Sequence, residues 1–93
     1  MLAVLTENQI QTKLSDLPLW QYRNEHLYRE FTFADFKQAL GFMVQVGLCA
    51  EMLNHHPDMR NVYHTVQLHL RTHQPNGITE LDFALAKAID ALG

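Results

Sequence analysis

The sequence predicts an α+β fold in which helices pack on an antiparallel sheet. Two capping-box patterns, Thr6 with Gln9 and Thr79 with Asp82, mark helix starts near the two ends of the chain. Between them, an apolar run over 39–53 has the spacing of a long helix. The segments LWQYR and HLYREF before it, and NVYHTVQLHLRT after it, have the aromatic content or two-residue alternation of strands.

Length and composition restrict the class of protein. The 93 residues predict one small domain, and 47% hydrophobic with 18% charged residues is a globular composition. A net charge of −3 without a basic cluster disfavours direct nucleic-acid binding. The single cysteine, Cys49, argues against a disulfide framework and fits the cytoplasm. No signal peptide is expected, because the first ten residues (MLAVLTENQI) lack a basic region and a long apolar stretch, and no membrane span is expected, because Gln45 and Glu51 interrupt the apolar run over 39–53.

The first helix and a hairpin follow from local signals. The capping box at Thr6, with Leu5 and Ile10 in the staple positions, predicts a helix over about 7–14. Farther along, the residues 23–25 (Arg-Asn-Glu) separate two short aromatic-rich segments. This arrangement predicts a β-hairpin.

A second helix is predicted to begin at Phe33, with Thr32 as its N-cap and Asp35 in its first turn, and to run toward His55. Its apolar residues span more than half of the helix circumference: Phe36, Ala39, Leu40, Phe42, Met43, Val46, Cys49, Ala50 and Leu53. A helix that buries one face needs a narrower stripe. Part of this surface is therefore expected to meet a partner subunit.

The last third of the chain combines an extended segment with a final helix. After Pro57, alternate residues are expected on one buried face of extended chain: Val62, His64, Val66, Leu68 and Leu70. The residues 74–77 (Gln-Pro-Asn-Gly) predict a turn. The capping box of Thr79 and Asp82 then begins the last helix.

Two adjacent histidines and a proline, His55-His56-Pro57, stand where the long helix is expected to end. Glu51 lies four residues before His55, so its carboxylate is expected beside that imidazole. A residue that precedes proline is disfavoured in the α region, so His56 is expected to turn in another direction. Three interpretations stay open at this point: solvated residues favoured by the helix dipole, metal ligands, and proton-transfer groups.

The spacing gives little support to metal binding or to nucleophilic chemistry. The chain has neither an HExxH motif nor a second cysteine, and His64 and His69 fall on opposite faces of one straight strand. Cys49 lies within the apolar helix, where a thiol is more often inert. No phosphate-binding glycine loop or GxSxG motif is present. Proton chemistry by histidine is the remaining catalytic hypothesis.

The residues 51–82 resemble the signature of a known enzyme family. The matching pattern is Glu51-x3-His55-His56-Pro57-x5-Tyr63-x9-His73-x8-Asp82. It resembles the pterin-4a-carbinolamine dehydratases, also known as dimerisation cofactors of a homeodomain transcription factor. The resemblance implies a single dehydratase domain over 1–93. It also implies a two-layer sandwich of order α-β-β-α-β-β-α, whose four-stranded antiparallel sheet carries the helices on one face, so that 60–72 becomes two strands.

The resemblance also implies an activity. Members of the family remove water from 4a-hydroxytetrahydropterin, the carbinolamine left by aromatic amino-acid hydroxylases, and produce quinonoid dihydropterin without a cofactor or metal. By resemblance, His55 and His73 are the acid and base candidates, and His56 binds the pterin and supports proton transfer. Glu51 would orient His55, while Pro57 and Thr72 complete the substrate-binding set.

Supporting roles and departures complete the comparison with the family pattern. Tyr63 is expected in core or sheet packing that shapes the site, and Asp82 is expected to order the loop after His73 through its capping box. Asn54 stands where the family commonly has an acidic residue, and Met59-Arg60 where an aromatic pair is common. Rate and substrate range are therefore expected to differ, while the proton-transfer groups are retained.

Two functions from different classes are compatible with the sequence. One is the dehydratase, acting on a small-molecule pterin in tetrahydrobiopterin recycling. The other is a non-catalytic oligomerisation or protein-interaction module that keeps the fold. The complete set of three histidines favours the enzyme. A cytoplasmic homodimer or homotetramer is expected, without nucleic-acid or membrane partners.

Overall fold

The computed structural model describes residues 2–92, which form three helices and one four-stranded sheet. The elements are α1 (Glu7–Leu14), β1 (Gln21–Arg23), β2 (His26–Thr32), α2 (Phe36–Leu53), β3 (Asp58–Val62), β4 (Thr65–Leu70) and α3 (Glu80–Asp90). All strand pairs are antiparallel, in the order β1-β2-β4-β3. The predicted class and element order are confirmed, and the placement of all helices on one face stays a prediction.

Both predicted capping boxes are present. At α1, the backbone N–H of Gln9 donates to the Thr6 hydroxyl over 3.2 Å, and the Thr6 N–H donates to the Gln9 side chain over 2.8 Å. At α3, the Thr79 N–H donates to Asp82 over 2.9 Å. Each box satisfies backbone donors that the first helical turn leaves unpaired. Local chemistry therefore fixes both helix starts.

The predicted start of α2 is wrong. The N-cap is Asp35, whose carboxylate accepts a hydrogen bond from the Gln38 N–H over 2.8 Å. Thr32 instead ends β2, and the Phe33 N–H donates to the His64 carbonyl over 2.8 Å. The predicted N-cap thus belongs to the sheet, where Thr32 pairs with Thr65 of β4, and the predicted first helical residue, Phe33, bonds the residue just before β4.

The chain reverses direction between β3 and β4, as the family resemblance implies. Val62 pairs with Thr65, and Tyr63 has a left-handed backbone with a φ of 48°. The inward position that simple alternation predicted for Val62 is wrong, since its side chain is exposed. Alternation does not show such a reversal, because the two-residue period looks similar on both sides of a short turn.

The core lies where β2 and β4 meet α2 and α3. Its fully buried side chains include Leu27, Val46, Leu68, Leu70 and Leu85. At one edge, Asp90 of α3 accepts a hydrogen bond from the Trp20 indole over 2.8 Å and pairs with Arg29 of β2. None of the helices among residues 2–92 is long and apolar enough to cross a membrane.

One face of α2 carries a row of exposed apolar side chains, here named the α2 stripe. Its members lie four residues apart and are 46 to 88% exposed: Phe36, Leu40, Val44, Leu48 and Met52. The opposite face, with Ala39, Val46 and Ala50, is buried. The broad apolar arc read from the sequence is therefore divided between the core and the surface. Its predicted contact with a partner subunit stays a prediction.

His69 of β4 lies on the sheet face opposite the buried leucines of that strand. Its ring packs 4.9 Å from Tyr28 and 5.9 Å from His26, measured between centroids, and its Nδ1 atom is buried without a hydrogen-bond partner. Burial lowers the pKa of His69 below the ordinary value of 6.5, although the charge of Asp58 acts in the opposite direction. The folded protein therefore favours the neutral ring.

This lowered pKa predicts how stability depends on pH. Below about pH 6.5, the unfolded state binds a proton at His69 more readily than the folded state does, so the free energy of unfolding falls as the pH decreases. We expect the free energy of unfolding, measured by urea denaturation, to decrease less between pH 7.5 and pH 5 for His69→Gln than for the unmodified protein. Equal decreases in the two proteins would contradict this assignment.

Candidate active site

The end of α2 decides where the two histidines point. Asn54 adopts a left-handed conformation, with φ 48° and ψ 45°, and the His55 N–H then donates to the Ala50 carbonyl over 3.0 Å. Asparagine is one of the few residues that adopts this conformation readily. The helix therefore ends at Leu53, before the proline can affect it. His55 leaves the helix axis and its side chain becomes buried.

His55 forms a buried pair with Asp82. Its Nε2 atom lies 2.6 Å from Asp82 Oδ1, and the two residues are 9% and 0% exposed. The other carboxylate oxygen, Oδ2, accepts from the Thr72 hydroxyl over 2.8 Å and from the Thr79 N–H over 2.9 Å. A buried carboxylate requires such compensation, since it has lost its hydration. Asp82 thus joins the end of α2, the end of β4 and the start of α3.

The hydrogen bonds around Asp82 fix the tautomer of His55. With two donors on Oδ2, the carboxylate acts as an acceptor, so we assign the proton of the 2.6 Å bridge to His55 Nε2. The Thr72 and Thr79 hydroxyl oxygens lie 2.7 Å apart, which extends the network. A neutral His55 then has Nδ1 as its proton acceptor.

Sequence reasoning missed the contact between Asp82 and His55, although one signal was available. Asp82 lies three and seven residues before Leu85 and Ile89, on the apolar face of the predicted last helix. An acidic residue on a buried face needs a partner beyond the capping box. The predicted capping role of Asp82 was correct, but the prediction did not include its contact with His55.

Glu51 contacts His56, so the expected contact with His55 is wrong. The Glu51 Oε1 and His56 Nε2 atoms are 2.6 Å apart, and both side chains are exposed. The prediction assumed that the helix continues to His55, which would place the two residues on one face. The left-handed residue at Asn54 removes that register and brings the following histidine, His56, to the carboxylate.

The structure connects His73 to this network through its neighbour. Thr72 is buried and pairs with Gly77 through two backbone hydrogen bonds of 2.9 Å. These bonds close the short loop that carries His73, whose side chain is exposed. His73 is thus one residue away from the Thr72 hydroxyl that bonds Asp82. Pro57, half-buried, directs the chain from His56 into β3.

Tyr63 lies outside this cluster. Strand β3 begins directly after Pro57 and ends directly before Tyr63. About 20 Å of extended chain therefore separates Tyr63 from Pro57. Its side chain is 61% exposed, so Tyr63 does not pack in the core, and the alternative, packing on the sheet that shapes the site, stays a prediction. Within residues 2–92, no group of three or more histidine, cysteine, aspartate or glutamate residues is arranged to hold a metal ion.

Comparison with known proteins shows the family of the chain. The family model for pterin 4 alpha carbinolamine dehydratase matches residues 3–92. The chain belongs to this family. A Solibacter usitatus protein with a provisional pterin-4-alpha-carbinolamine dehydratase name is 46% identical over 92 residues, covering 99% of this chain and 97% of the relative. A similarly named Prochlorococcus marinus protein is 40% identical over 92 residues, covering 99% and 97%.

Two solved structures share the fold. The transcriptional coactivator/pterin dehydratase from Brucella melitensis is 42% identical, with a TM-score of 0.91 over 97% of this chain and 98% of that one. A pterin dehydratase-like RuBisCO assembly factor of the alpha-carboxysome has a TM-score of 0.62 at 23% identity, covering 78% and 84%. This second likeness shows a common fold alone. Family membership therefore rests on the closer matches and on residues 3–92.

Proposed function

We propose that the protein is a 4a-hydroxytetrahydrobiopterin dehydratase of tetrahydrobiopterin recycling, acting in the cytoplasm as a single-domain homodimer or homotetramer. The observation that carries the proposal is the buried 2.6 Å pair of His55 and Asp82, because it prepares an imidazole for proton transfer. It occurs in a chain of the pterin 4 alpha carbinolamine dehydratase family, which supports a pterin as substrate.

The proposed reaction needs two proton transfers. The C4a–O bond of the carbinolamine breaks, and its hydroxyl leaves as water after it receives a proton from an acid. The neighbouring N5–H loses its proton to a base, and the electron pair of that bond forms the C4a=N5 double bond of quinonoid dihydrobiopterin. Histidine suits both steps, since its ordinary pKa lies close to neutrality.

We assign these tasks to three imidazoles. His55 exchanges a proton at Nδ1, and the Asp82 carboxylate stabilises its cationic form. The exposed His73 supplies the second proton-transfer group from the adjacent loop. His56, hydrogen-bonded to Glu51, binds the pterin and supports the transfer. Pro57 and Thr72 fix the chain directions on which these side chains depend.

A non-catalytic interaction module is the second candidate function. The exposed α2 stripe favours it, since a row of large apolar side chains on a helix surface is typical of an interface. The Brucella melitensis relative is described both as a transcriptional coactivator and as a pterin dehydratase. The two functions use different surfaces, because the buried His55–Asp82 pair contributes nothing to the stripe.

The proposal is tested by the breakdown of 4a-hydroxytetrahydropterin, whose spontaneous dehydration supplies a baseline. We expect the unmodified protein to exceed the baseline clearly, and His73→Ala to lower the catalysed rate by about 10² to 10⁴-fold, as is usual when a general acid or base is lost. His64→Ala, at the opposite end of β4, is the matched control and should retain the rate. A folded protein that does no better than buffer would exclude the enzyme.

A further inference from the structure

The loop over 73–76 carries His73 on the surface, where core packing does not hold it. All four of its residues are exposed, and the two backbone hydrogen bonds between Thr72 and Gly77 fix only the ends of the loop. A proton-transfer group needs a defined position, because a displacement of about 1 Å can lower a rate by about 10²-fold. A contact that restrains this loop therefore bears on the proposed dehydratase activity.

Arg71, the residue that follows β4, makes two hydrogen bonds in different directions. Its Nε atom donates to Asn76 Oδ1 across the loop over 3.1 Å, and its Nη1 atom donates to the Glu25 carbonyl over 2.7 Å. The guanidinium group therefore links the His73 loop to the turn between β1 and β2. A guanidinium group suits this task, since its donors lie in one rigid plane and it stays charged at every physiological pH.

The turn that receives Arg71 is a restricted part of the backbone. Strands β1 and β2 stay paired as far as Arg23 and His26. Only Asn24 and Glu25 form the connection, and both have left-handed backbones, with φ of 51° and 63°. Two such residues are typical of the tight hairpin turn that matches the twist of its strands. Since β2 also pairs with β4, the Glu25 carbonyl is a fixed point relative to the base of the loop.

We propose that Arg71 is a positioning residue of the dehydratase, which holds His73 in place by bonding Asn76 and the β1–β2 turn at the same time. This role rests on the proposed function, in which His73 is the second proton-transfer group. The base of the loop adjoins the buried part of the site, because the Thr72 hydroxyl donates to Asp82 over 2.8 Å. By restraining the other side of the loop, the guanidinium group sets the position of the exposed imidazole relative to that buried carboxylate.

Steady-state kinetics tests this role. Arg71→Gln removes both bonds, and we expect it to lower kcat by about tenfold with KM nearly unchanged, because a misplaced acid or base acts at the chemical step. Arg71→Lys keeps the charge without the planar set of donors, so it should recover only part of the loss. Lys87→Gln, which removes an exposed cation near the end of α3, is the matched control and should keep the unmodified rate.

A double-mutant cycle tests the bond to Asn76. Asn76→Ala removes one of the two bonds of the guanidinium group and should also lower kcat. Combined with Arg71→Gln, it should lower kcat no further than Arg71→Gln does alone, because the bond is already lost. Losses that multiply in the double variant, or complete recovery of kcat by Arg71→Lys, would overturn the restraint through two bonds.

Backbone order parameters from NMR relaxation supply a readout that needs no catalysis. Those of His73 and Asn76 should be about 0.85 in the unmodified protein and should fall toward about 0.6 in Arg71→Gln, while that of Leu68 stays the same. A loop that stays rigid in Arg71→Gln would overturn the restraint, and a mobile loop with unchanged kcat would overturn the positioning role. An unmodified protein without dehydratase activity would refute the proposed function, and the order parameters would still decide whether Arg71 restrains the loop.

Discussion

Replacement of Asp82 by asparagine is expected to lower the dehydratase rate by about 10² to 10⁴-fold, the range seen when a carboxylate that orients a catalytic imidazole becomes an amide. The amide NH₂ donates a hydrogen bond where the carboxylate accepted one. His55 Nε2 must then become an acceptor, and its proton moves to Nδ1, the nitrogen that is needed for exchange with substrate. The loss follows from the wrong tautomer, with the shape of the site retained.

Steady-state kinetics of purified Asp82→Asn, with circular dichroism as a check of folding, measures this effect. Glu80→Gln is the matched control, because Glu80 also lies in the first turn of α3, where it pairs with Lys13 at the surface over 2.9 Å. The control should keep the unmodified rate. A folded Asp82→Asn protein with full activity would show that the buried pair does not serve catalysis.

Leu68→Ala is expected to reduce the free energy of unfolding by about 2 to 5 kcal/mol, the usual range for a large-to-small change in a core. Leu68 is fully buried in β4, which lies between β2 and β3, so the neighbouring strands cannot easily close the cavity. For a domain whose total stability is about 5 to 15 kcal/mol, this is a large fraction.

Urea denaturation of Leu68→Ala and of Leu19→Ala compares the effect of the same substitution on stability at a buried and at an exposed leucine. Leu19 is an exposed leucine outside the regular elements, and its truncation should change the free energy of unfolding by less than about 0.5 kcal/mol. If the two variants were equally stable, the assignment of β4 as the centre of the core would be wrong.

Local signals were sufficient where a helix start depends on side chains close in sequence. The boxes at Thr6 and Thr79 are complete within four residues, and both helices begin as predicted. The start of α2 was misplaced because Phe33 bonds the carbonyl of His64, a residue far along the chain. A pattern of nearby residues contains no information on such a contact.

In the candidate site, too, some features were predicted from local sequence and others depend on the folded structure. The signature spacing predicted His55, His56 and His73 as site residues without geometry, because it resembles the family whose model matches residues 3–92, and the roles of these histidines stay predictions. The carboxylate partner of His55 was predicted incorrectly, since Glu51 was expected beside it. A single left-handed residue, Asn54, rotates the chain so that Glu51 meets His56 and leaves His55 for the buried carboxylate.

The sequence by itself therefore determined the class of fold, the order of elements and the family, since these depend on periodicity, capping and spacing along the chain. Only the tertiary structure decided which carboxylate holds which histidine, that Tyr63 lies at an exposed turn, and which half of the apolar arc of α2 is buried. These properties depend on contacts between residues distant in sequence and on one backbone conformation, and both form only when the helices close on the sheet.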